Sequence, residues 1–236
     1  SENLNPKQKE AVASTEGPVL VIAGAGAGKT RVITERIKYL ILHNVPPEKI
    51  LAVTFTNKAA GEMRERISLT PPTPLTLMGV PFIGTFHALG LLIIKKNLAK
   101  LGVKKNFTIL DEDDSTKLIK ECLEELKIDP KEFDPGRFKN QISLMKNRLM
   151  TPDDFEADNF FGKMLARAWN LYEEKTAKHN LLDFDDLLLK PTRMLQKDND
   201  FKNQYQARWH YIHIDEYQDT NDIQYALSQI LASRHR

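Results

Sequence analysis

The chain has 236 residues, of which 41% are hydrophobic and 28% charged, and its 34 basic side chains nearly balance 32 acidic ones. This composition predicts a soluble globular protein with a substantial core, and the small net charge gives no overall sign of nucleic-acid binding. We expect a cytoplasmic protein with no membrane association and a packing role for the single cysteine, Cys122, because the sequence shows no bilayer-length apolar run, secretion signal or cysteine pair.

The N-terminal part alternates helix and strand patterns. Asn5 followed by Pro6 predicts a capped short helix, and the apolar run PVLVIA predicts a strand over Val19–Ile22 before a helix from about Lys29. Next come a predicted strand over 50–55, a helix over 58–67, a turn-rich stretch over 70–81, the apolar segment FIGTF, and a helix beginning near His87. This order is typical of a parallel sheet covered by helices.

The middle of the chain, from about Asp111 to Gln206, shows amphipathic helical patterns and almost no strand pattern. The acidic run DEDD predicts a helix start, because negative charge is favoured at the N-terminal end of the helix dipole. LLDFDDLL predicts another helix start with one buried face, not a metal site. The strand pattern returns with YIHID, so the sequence predicts two subdomains.

The segment AGAGAGKT, from Ala23 to Thr30, lies where a predicted strand turns into a helix, as a phosphate-binding loop requires. Its glycines let the backbone approach phosphates, and amides at the helix N-terminus point toward the anion. Lys29 is expected to contact the β- and γ-phosphates, and Thr30 to offer a hydroxyl to Mg²⁺. Ala23 replaces the usual first glycine, and an accidental glycine-rich turn is the alternative interpretation.

The segment YIHIDEYQDTN ends a predicted strand with two adjacent carboxylates. Asp215 is expected to hold Mg²⁺, because this hard cation takes oxygen ligands. Glu216 is expected to orient or deprotonate the water that attacks the γ-phosphate. Together with the glycine-rich loop, this segment predicts a nucleoside triphosphate site built from opposite ends of the chain.

Several motifs follow one another along the chain: QKEAV, AGAGAGKT, AVTFTNKAAGEMRERI, GTFHALG, FTILD, LLDFDDLL and YIHIDEYQDTN. In identity, order and approximate spacing they resemble superfamily one DNA helicases of the UvrD/PcrA/Rep group, over essentially the whole chain. The resemblance implies an α/β fold, a RecA-like P-loop parallel sheet with an inserted all-helical subdomain. Subdomain 1A would cover residues 1–90 and 182–236, and subdomain 1B residues 91–181. The family also accepts alanine at the position of Ala23.

The resemblance implies that the nucleotide is ATP with Mg²⁺. Gln8 corresponds to the glutamine that contacts the adenine edge, a role that suits an amide able to donate and accept. Arg31 matches an arginine near the nucleotide. The alternatives are a surface helix residue for Gln8 and an exposed first-turn residue for Arg31. The expected ATP-binding residues are Gln8, Ala25, Gly26, Ala27, Gly28, Lys29, Thr30 and Arg31. Lys29 and Glu216 are the expected catalytic residues, and Thr30 and Asp215 the expected metal ligands.

The resemblance also implies single-stranded DNA and single-strand/duplex junctions as partners. The expected DNA-binding residues are Thr54, Phe55, Thr56, Asn57, Thr85 and His87. An aromatic face can stack on bases, while threonine and asparagine can bind phosphate oxygens without reading sequence. The alternatives are core packing for Phe55 and capping or packing for His87.

Two groups of basic residues are further candidates for phosphate contact, although solvated helix faces explain their pattern equally well. The first comprises Lys95, Lys96, Lys100, Lys104 and Lys105, and the second comprises Lys139, Lys146 and Arg148.

The implied function is an ATP-dependent DNA helicase or translocase of 3′ to 5′ polarity. In this family a second RecA-like domain supplies arginines to the ATP site, and an arginine finger contributes ~10³–10⁵ in turnover. We therefore expect this chain alone to bind Mg·ATP weakly, to hydrolyse it slowly if at all, and not to unwind DNA. The alternative is a nucleotide-gated interaction module without motor activity, although such a module has no need of Glu216. A small-molecule kinase would leave TFTNKAA and GTFHALG unexplained. The sequence does not distinguish repair, plasmid replication and fork restart, and it indicates no protein partner.

Overall fold

A computed structural model of the chain describes residues 4–24, 26–68 and 79–235. The chain divides into two compact units. Unit 1 comprises Ser1–Leu89, Asp198–Thr220 and Leu227–Arg236, and unit 2 comprises Gly90–Lys197 and Asn221–Ala226. None of the helices in these described ranges is both long enough and apolar enough to cross a membrane.

The helices are α1 (Pro6–Ala13), α2 (Lys29–Leu42), α3 (Asn57–Ser68), α4 (Phe86–Lys96), α5 (Glu112–Glu125), α6 (Pro135–Asn147), α7 (Phe160–His179), α8 (Asp186–Lys197), α9 (Asn199–Arg208) and α10 (Asp222–Ala232). The strands are β1 (Ile50–Thr54), β2 (Phe82–Thr85), β3 (Thr108–Ile109), β4 (Leu181–Leu182) and β5 (Tyr211–Ile214). Short 3₁₀ helices cover Pro47–Lys49, Pro152–Asp154 and Tyr217–Asp219. These bounds confirm most of the predicted helices and strands in unit 1. The predicted turn-rich stretch over 70–81 lies largely outside the described residues.

Unit 1 is built on a three-stranded parallel sheet with the order β2-β1-β5. The central strand β1 is buried along its whole length, as its apolar sequence predicts for a strand with neighbours on both sides. Its core joins the sheet to α2 and α3 through Ile37, Leu40, Ile41, Ile50, Ala52, Met63 and Ile83. Because all three strands run in the same direction, the residues that follow them emerge at one edge of the sheet.

The predicted strand over Val19–Ile22 is wrong. This segment forms no strand, and its side chains are exposed to 44% at Val19, 72% at Leu20, 42% at Val21 and 88% at Ile22. A strand exists only through hydrogen bonds to a neighbour, and in the described part of the chain β5 is paired on one side only, with β1. The apolar run makes no such pairing with the open side of β5 and therefore forms no strand.

Unit 2 is mainly helical, as predicted, with a core formed by α5, α6 and α7. Its buried members are Ile119, Cys122, Leu123, Ile128, Phe138, Ile142, Met164, Leu165, Ala168, Trp169 and Tyr172. Cys122 is confirmed as a packing residue, and burial raises the pKa of its thiol to about 11. The unit also contains a short parallel pair, β3 with β4, which the sequence pattern did not predict.

Lys146 is buried, with 1% of its side chain exposed, so the suggestion that it contacts a phosphate backbone is wrong. Its Nζ lies 2.7 Å from Asp183 Oδ2, 2.9 Å from Asp186 Oδ1 and 2.8 Å from Glu173 Oε1. Burial acts to lower the pKa of Lys146, but the three carboxylates hold it well above its ordinary value. Burial also raises the pKa of Asp186 to about 7, with a further contribution from Asp183.

Residues 182–197 fall in unit 2, whereas the resemblance implied that they are part of subdomain 1A. The ion cluster around Lys146 joins the start of α8 to α6 and α7, and a buried lysine cannot separate from its carboxylates without a large electrostatic cost. LLDFDDLL does begin a helix, as predicted. Asp183 Oδ1 accepts a hydrogen bond from the Asp186 amide at 2.8 Å, so an acid in this segment serves as a buried cap.

Candidate active site

The glycine-rich loop leads directly into α2. Gly26 and Gly28 have φ angles of 73° and 81°, a left-handed backbone that favours glycine, and Gly28 is the residue before the helix. The free amides of the first helical turn therefore face the loop, where they can bind an anion. The predicted contact of Ala25 lies outside the described residues.

Thr30, in the first turn of α2, donates a hydrogen bond from Oγ1 to Asp215 Oδ2 at 2.9 Å. Asp215 follows β5, and its amide donates to the Val53 carbonyl at 3.0 Å, which continues the parallel pairing. Burial raises the pKa of Asp215, and the neighbouring Glu216 carboxylate adds to this effect. A hydroxyl and a carboxylate oxygen this close together fit the oxygen-ligand preference of Mg²⁺.

Lys29 and Glu216 meet at the same place. The Lys29 ammonium lies 3.6 Å from Glu216 Oε2 and donates to the Ala23 carbonyl at 3.3 Å. Gln218 Nε2 donates to Glu216 Oε2 at 2.6 Å. The hydrogen bond from Gln218 lowers the pKa of Glu216, as does the charge of Lys29, so this carboxylate is ionised at neutral pH.

Gln8 lies beside the phosphate loop and holds it. Its Nε2 donates to the Ala27 carbonyl at 3.0 Å, and its Oε1 accepts from the Asn5 amide at 2.9 Å in the capping box of α1. Each end of the side-chain amide thus makes one hydrogen bond. The second N–H and the second lone pair of Oε1 remain available for an adenine edge.

A cavity of about 860 Å³ adjoins the loop, and its size suits a nucleoside triphosphate. Its predicted lining residues are Gly24, Gly26, Ala27, Gly28, Lys29, Thr30, Arg31 and Glu216. Its other lining residues are Thr34, Glu35, Lys38, Arg66 and Gln218, none of which the sequence analysis singled out. Arg66 lies within the motif AVTFTNKAAGEMRERI and Lys38 lies further along α2, and only the folded helices bring both to the cavity. Gln218 stood within the DEYQD segment and could have been considered.

The candidate DNA-binding residues gather at the carboxyl edge of β1 and β2. Thr54 and Thr85 are partners in the parallel register, and both are buried. Thr85 Oγ1 accepts a hydrogen bond from the Ala88 amide at 3.1 Å and so caps α4. All six candidate residues were predicted to contact DNA directly. The buried positions of Thr54 and Thr85 are better suited to supporting the ends of β1 and β2.

The other members of this set are more accessible. Thr56 and Asn57 are exposed, while Phe55 and His87 are partly buried. The Phe55 ring meets the buried Phe86 ring edge to face, with 5.8 Å between centroids. Phe55 therefore packs at one edge and leaves part of its surface available for a base.

The loop, the adjacent oxygen pair and the parallel sheet define a P-loop nucleotide-binding protein of the RecA-like α/β class. A family model described as the UvrD/REP helicase N-terminal domain matches residues 4–236, and the chain belongs to this family. The family and fold predictions are therefore confirmed.

Two similar proteins are both described as ATP-dependent DNA helicase PcrA. The protein of Staphylococcus epidermidis strain RP62A is 41% identical over 242 residues, which cover 100% of this chain and 32% of that protein. The protein of Staphylococcus aureus strain Mu50 is 41% identical over 241 residues, which cover 99% of this chain and 32% of that protein. The chain thus spans about a third of the length of these curated relatives.

Proposed function

We propose that the chain is the ATP-binding and single-strand-binding part of an ATP-dependent DNA helicase or translocase of 3′ to 5′ polarity. The observation that carries the proposal is the 2.9 Å hydrogen bond between Thr30 and Asp215, which are 185 residues apart in the chain. Family membership and the helicase relatives support the same activity.

The proposed chemistry assigns one task to each group around the loop. Lys29 exchanges its present carbonyl and carboxylate partners for the β- and γ-phosphates. Thr30 and Asp215 hold Mg²⁺, which neutralises phosphate charge when bound. Glu216, already ionised, orients the attacking water and accepts its proton.

Turnover in this proposal needs a second RecA-like domain. An arginine finger from such a domain contributes ~10³–10⁵ to phosphoryl transfer, and the relatives contain much more chain than is matched here. This chain alone is then a Mg·ATP-binding protein with slow hydrolysis and no unwinding activity.

The proposed DNA path runs over the carboxyl edge of the sheet, with Phe55 stacking on a base and Thr56 and Asn57 near phosphates. His87 lies on the same edge, and Thr54 and Thr85 support it. A path that reads no sequence suits a motor that steps along any single strand, including one at a junction with duplex.

The test compares ATP turnover by this chain and by a longer protein that joins it to such a second domain, each with and without single-stranded DNA. We expect DNA-stimulated turnover only in the longer protein, and unwinding of duplexes with a 3′ tail but not a 5′ tail. Robust DNA-stimulated turnover by this chain alone would contradict the two-domain requirement. In the longer protein, Glu216→Gln should abolish turnover while ATP still binds; unchanged turnover would contradict the assigned role of Glu216.

A further inference from the structure

The segment after β5 brings a second side chain onto the Glu216 carboxylate. Glu216 Oε2 accepts a hydrogen bond from Gln218 Nε2 at 2.6 Å and lies 3.6 Å from Lys29 Nζ. Gln218 is exposed and lines the same cavity as the phosphate loop. Burial therefore does not account for its orientation, and its short bond to a charged acceptor does.

The backbone of this segment makes the contact possible. Glu216 has φ 51° and ψ 47°, a left-handed conformation that is unfavourable for a residue with a side chain, and it directly precedes the 3₁₀ turn Tyr217–Asp219. The Asp219 amide donates to the Glu216 carbonyl at 2.9 Å and closes this turn. As a result the chain reverses after Glu216, and a side chain two residues later returns to its carboxylate.

Lys29 and Gln218, the two side chains that contact Glu216 Oε2, are expected to respond differently when a nucleotide binds. In the proposed function Lys29 turns to the β- and γ-phosphates, because these carry more negative charge than one carboxylate. Gln218 is neutral, so the phosphates do not draw it away from the Glu216 carboxylate. Among the described residues it is then the donor that remains on Glu216 Oε2 when the water attacks the γ-phosphate.

We propose that Gln218 is a positioning residue for ATP hydrolysis, whose amide holds the Glu216 carboxylate toward the attacking water while Lys29 engages the phosphates. This inference rests on the proposed function. Gln218 acts through Glu216 and does not itself contact the nucleotide, so its loss lowers the rate of the chemical step without weakening ATP binding.

The test uses Gln218→Met, which keeps the length of the side chain but removes the donor, and Gln218→Glu, which places a second carboxylate beside Glu216. Gln204→Met, an exposed position on α9, is the matched control. In the longer protein we expect kcat to fall about 10- to 100-fold with both Gln218 variants, the range seen when a group that orients a site residue is removed. With Gln218→Met, the KM for ATP and the Kd of this chain for a fluorescent Mg·ATP analogue should stay unchanged.

Two results would overturn the inference. One is a kcat of Gln218→Met equal to that of Gln204→Met. The other is a rise in the Kd for the nucleotide that matches the loss in rate, because this would place Gln218 on the nucleotide itself.

A spectroscopic measurement on this chain is independent of turnover. The side-chain amide protons of Gln218 should show a downfield shift in proton-nitrogen spectra, should keep it when a non-hydrolysable Mg·ATP analogue is added, and should lose it in Glu216→Ala. Loss of the shift on adding the analogue would contradict a contact that persists in the nucleotide-bound state.

The outcome for Glu216→Gln separates this inference from the proposed function. If Glu216→Gln abolishes turnover while Gln218→Met does not alter it, Gln218 has no positioning role and the proposed function stands. If Glu216→Gln leaves turnover intact, the proposed chemistry fails and the role of Gln218 fails with it.

Discussion

Thr54 and Thr85 stand opposite each other in the register of β1 and β2, at the last position of each strand. On the other side of β1, Val53 is paired with Ile214, the residue before Asp215. One edge of the parallel sheet therefore carries both the candidate DNA-binding residues and a ligand of the candidate Mg²⁺ site. This common edge offers a short physical connection between nucleotide state and DNA contact.

Phe55 is the residue on which we expect DNA affinity to depend most. Phe55→Leu keeps an apolar side chain against Phe86 but removes the aromatic face, and base stacking is worth ~1–3 kcal/mol per base. Fluorescence anisotropy with a labelled oligothymidine should show this loss, with Mg·ATP binding unchanged. Phe160→Leu, at a position 73% exposed in unit 2, is the control. Equal affinities for the two variants would exclude Phe55 from the DNA path.

Asp215→Asn should make ATP binding insensitive to Mg²⁺. The substitution keeps the shape of the side chain and its contact with Thr30, but it removes the charge that a hard cation requires. We expect affinity in the presence of Mg²⁺ to fall about tenfold or more and affinity in EDTA not to weaken. Isothermal titration calorimetry measures both, with Asp200→Asn on the exposed side of α9 as the control. A similar loss with and without Mg²⁺ would argue against a metal-ligand role.

Lys146→Met should strongly destabilise unit 2. It leaves Asp183, Asp186 and Glu173 without their common cation, and breaking a buried pair in this way costs about 3–5 kcal/mol. Lys139→Met on the same helix breaks a pair with Glu112, whose side chain is 77% exposed, and should have a much smaller effect because solvent screens such a pair. Urea unfolding followed by circular dichroism provides the comparison. Equal midpoints would show that the cluster contributes little.

The pH dependence of stability should report the titration of Asp186. Its folded pKa of about 7 lies above the ordinary aspartate value, so the folded state binds a proton that the unfolded state has lost. The stability from this group is present below the unfolded pKa, near 4, and is lost as pH rises through about 7. The charged groups that act on the Asp186 carboxyl are those of Asp183, Lys146, Glu173 and Lys190. The variant used for comparison must therefore leave all four unchanged.

Asp186→Asn removes this titration. The free energy of unfolding of the unsubstituted chain, measured relative to this variant, should decline between pH 4 and pH 7 by up to about 1.4 kcal/mol per pH unit. Parallel stability curves over this range would contradict a raised pKa.

Gly90→Ala and Gly61→Ala should have opposite effects, although both glycines lie in helices. A methyl group at position 90 of α4 would overlap the carbonyl oxygen of Leu187 in α8, and such overpacking costs about 1–3 kcal/mol. Pro191 cannot donate to that carbonyl, so nearby backbone can approach it. Gly61 meets nothing within 4 Å, and alanine there should stabilise α3 by about 1 kcal/mol or less. Thermal unfolding tests both, and a neutral Gly90→Ala would show that the two helices can separate there.

Local patterns were enough to predict much of unit 1. Propensity, periodicity and turn chemistry within a few residues predict four of its features. These are the glycine-rich loop, the start of α2 at Lys29, the strand β5 before Asp215 and the cap at Asn5. Motif order predicted the family in the same way. Those features need no knowledge of distant contacts.

The tertiary structure alone decided the remaining features, because each depends on a partner far away in the chain. Val19–Ile22 has a strand pattern but forms no strand, since hydrogen bonds to a neighbour make a strand. Lys146 resembles a solvated lysine in sequence but is buried, since its carboxylates come from other helices and from the segment before α8. Likewise, the hydrogen bond of Gln218 to Glu216 depends on a backbone reversal that no periodicity records. Sequence by itself determined the chemical groups of this protein, and folding decided which of them meet.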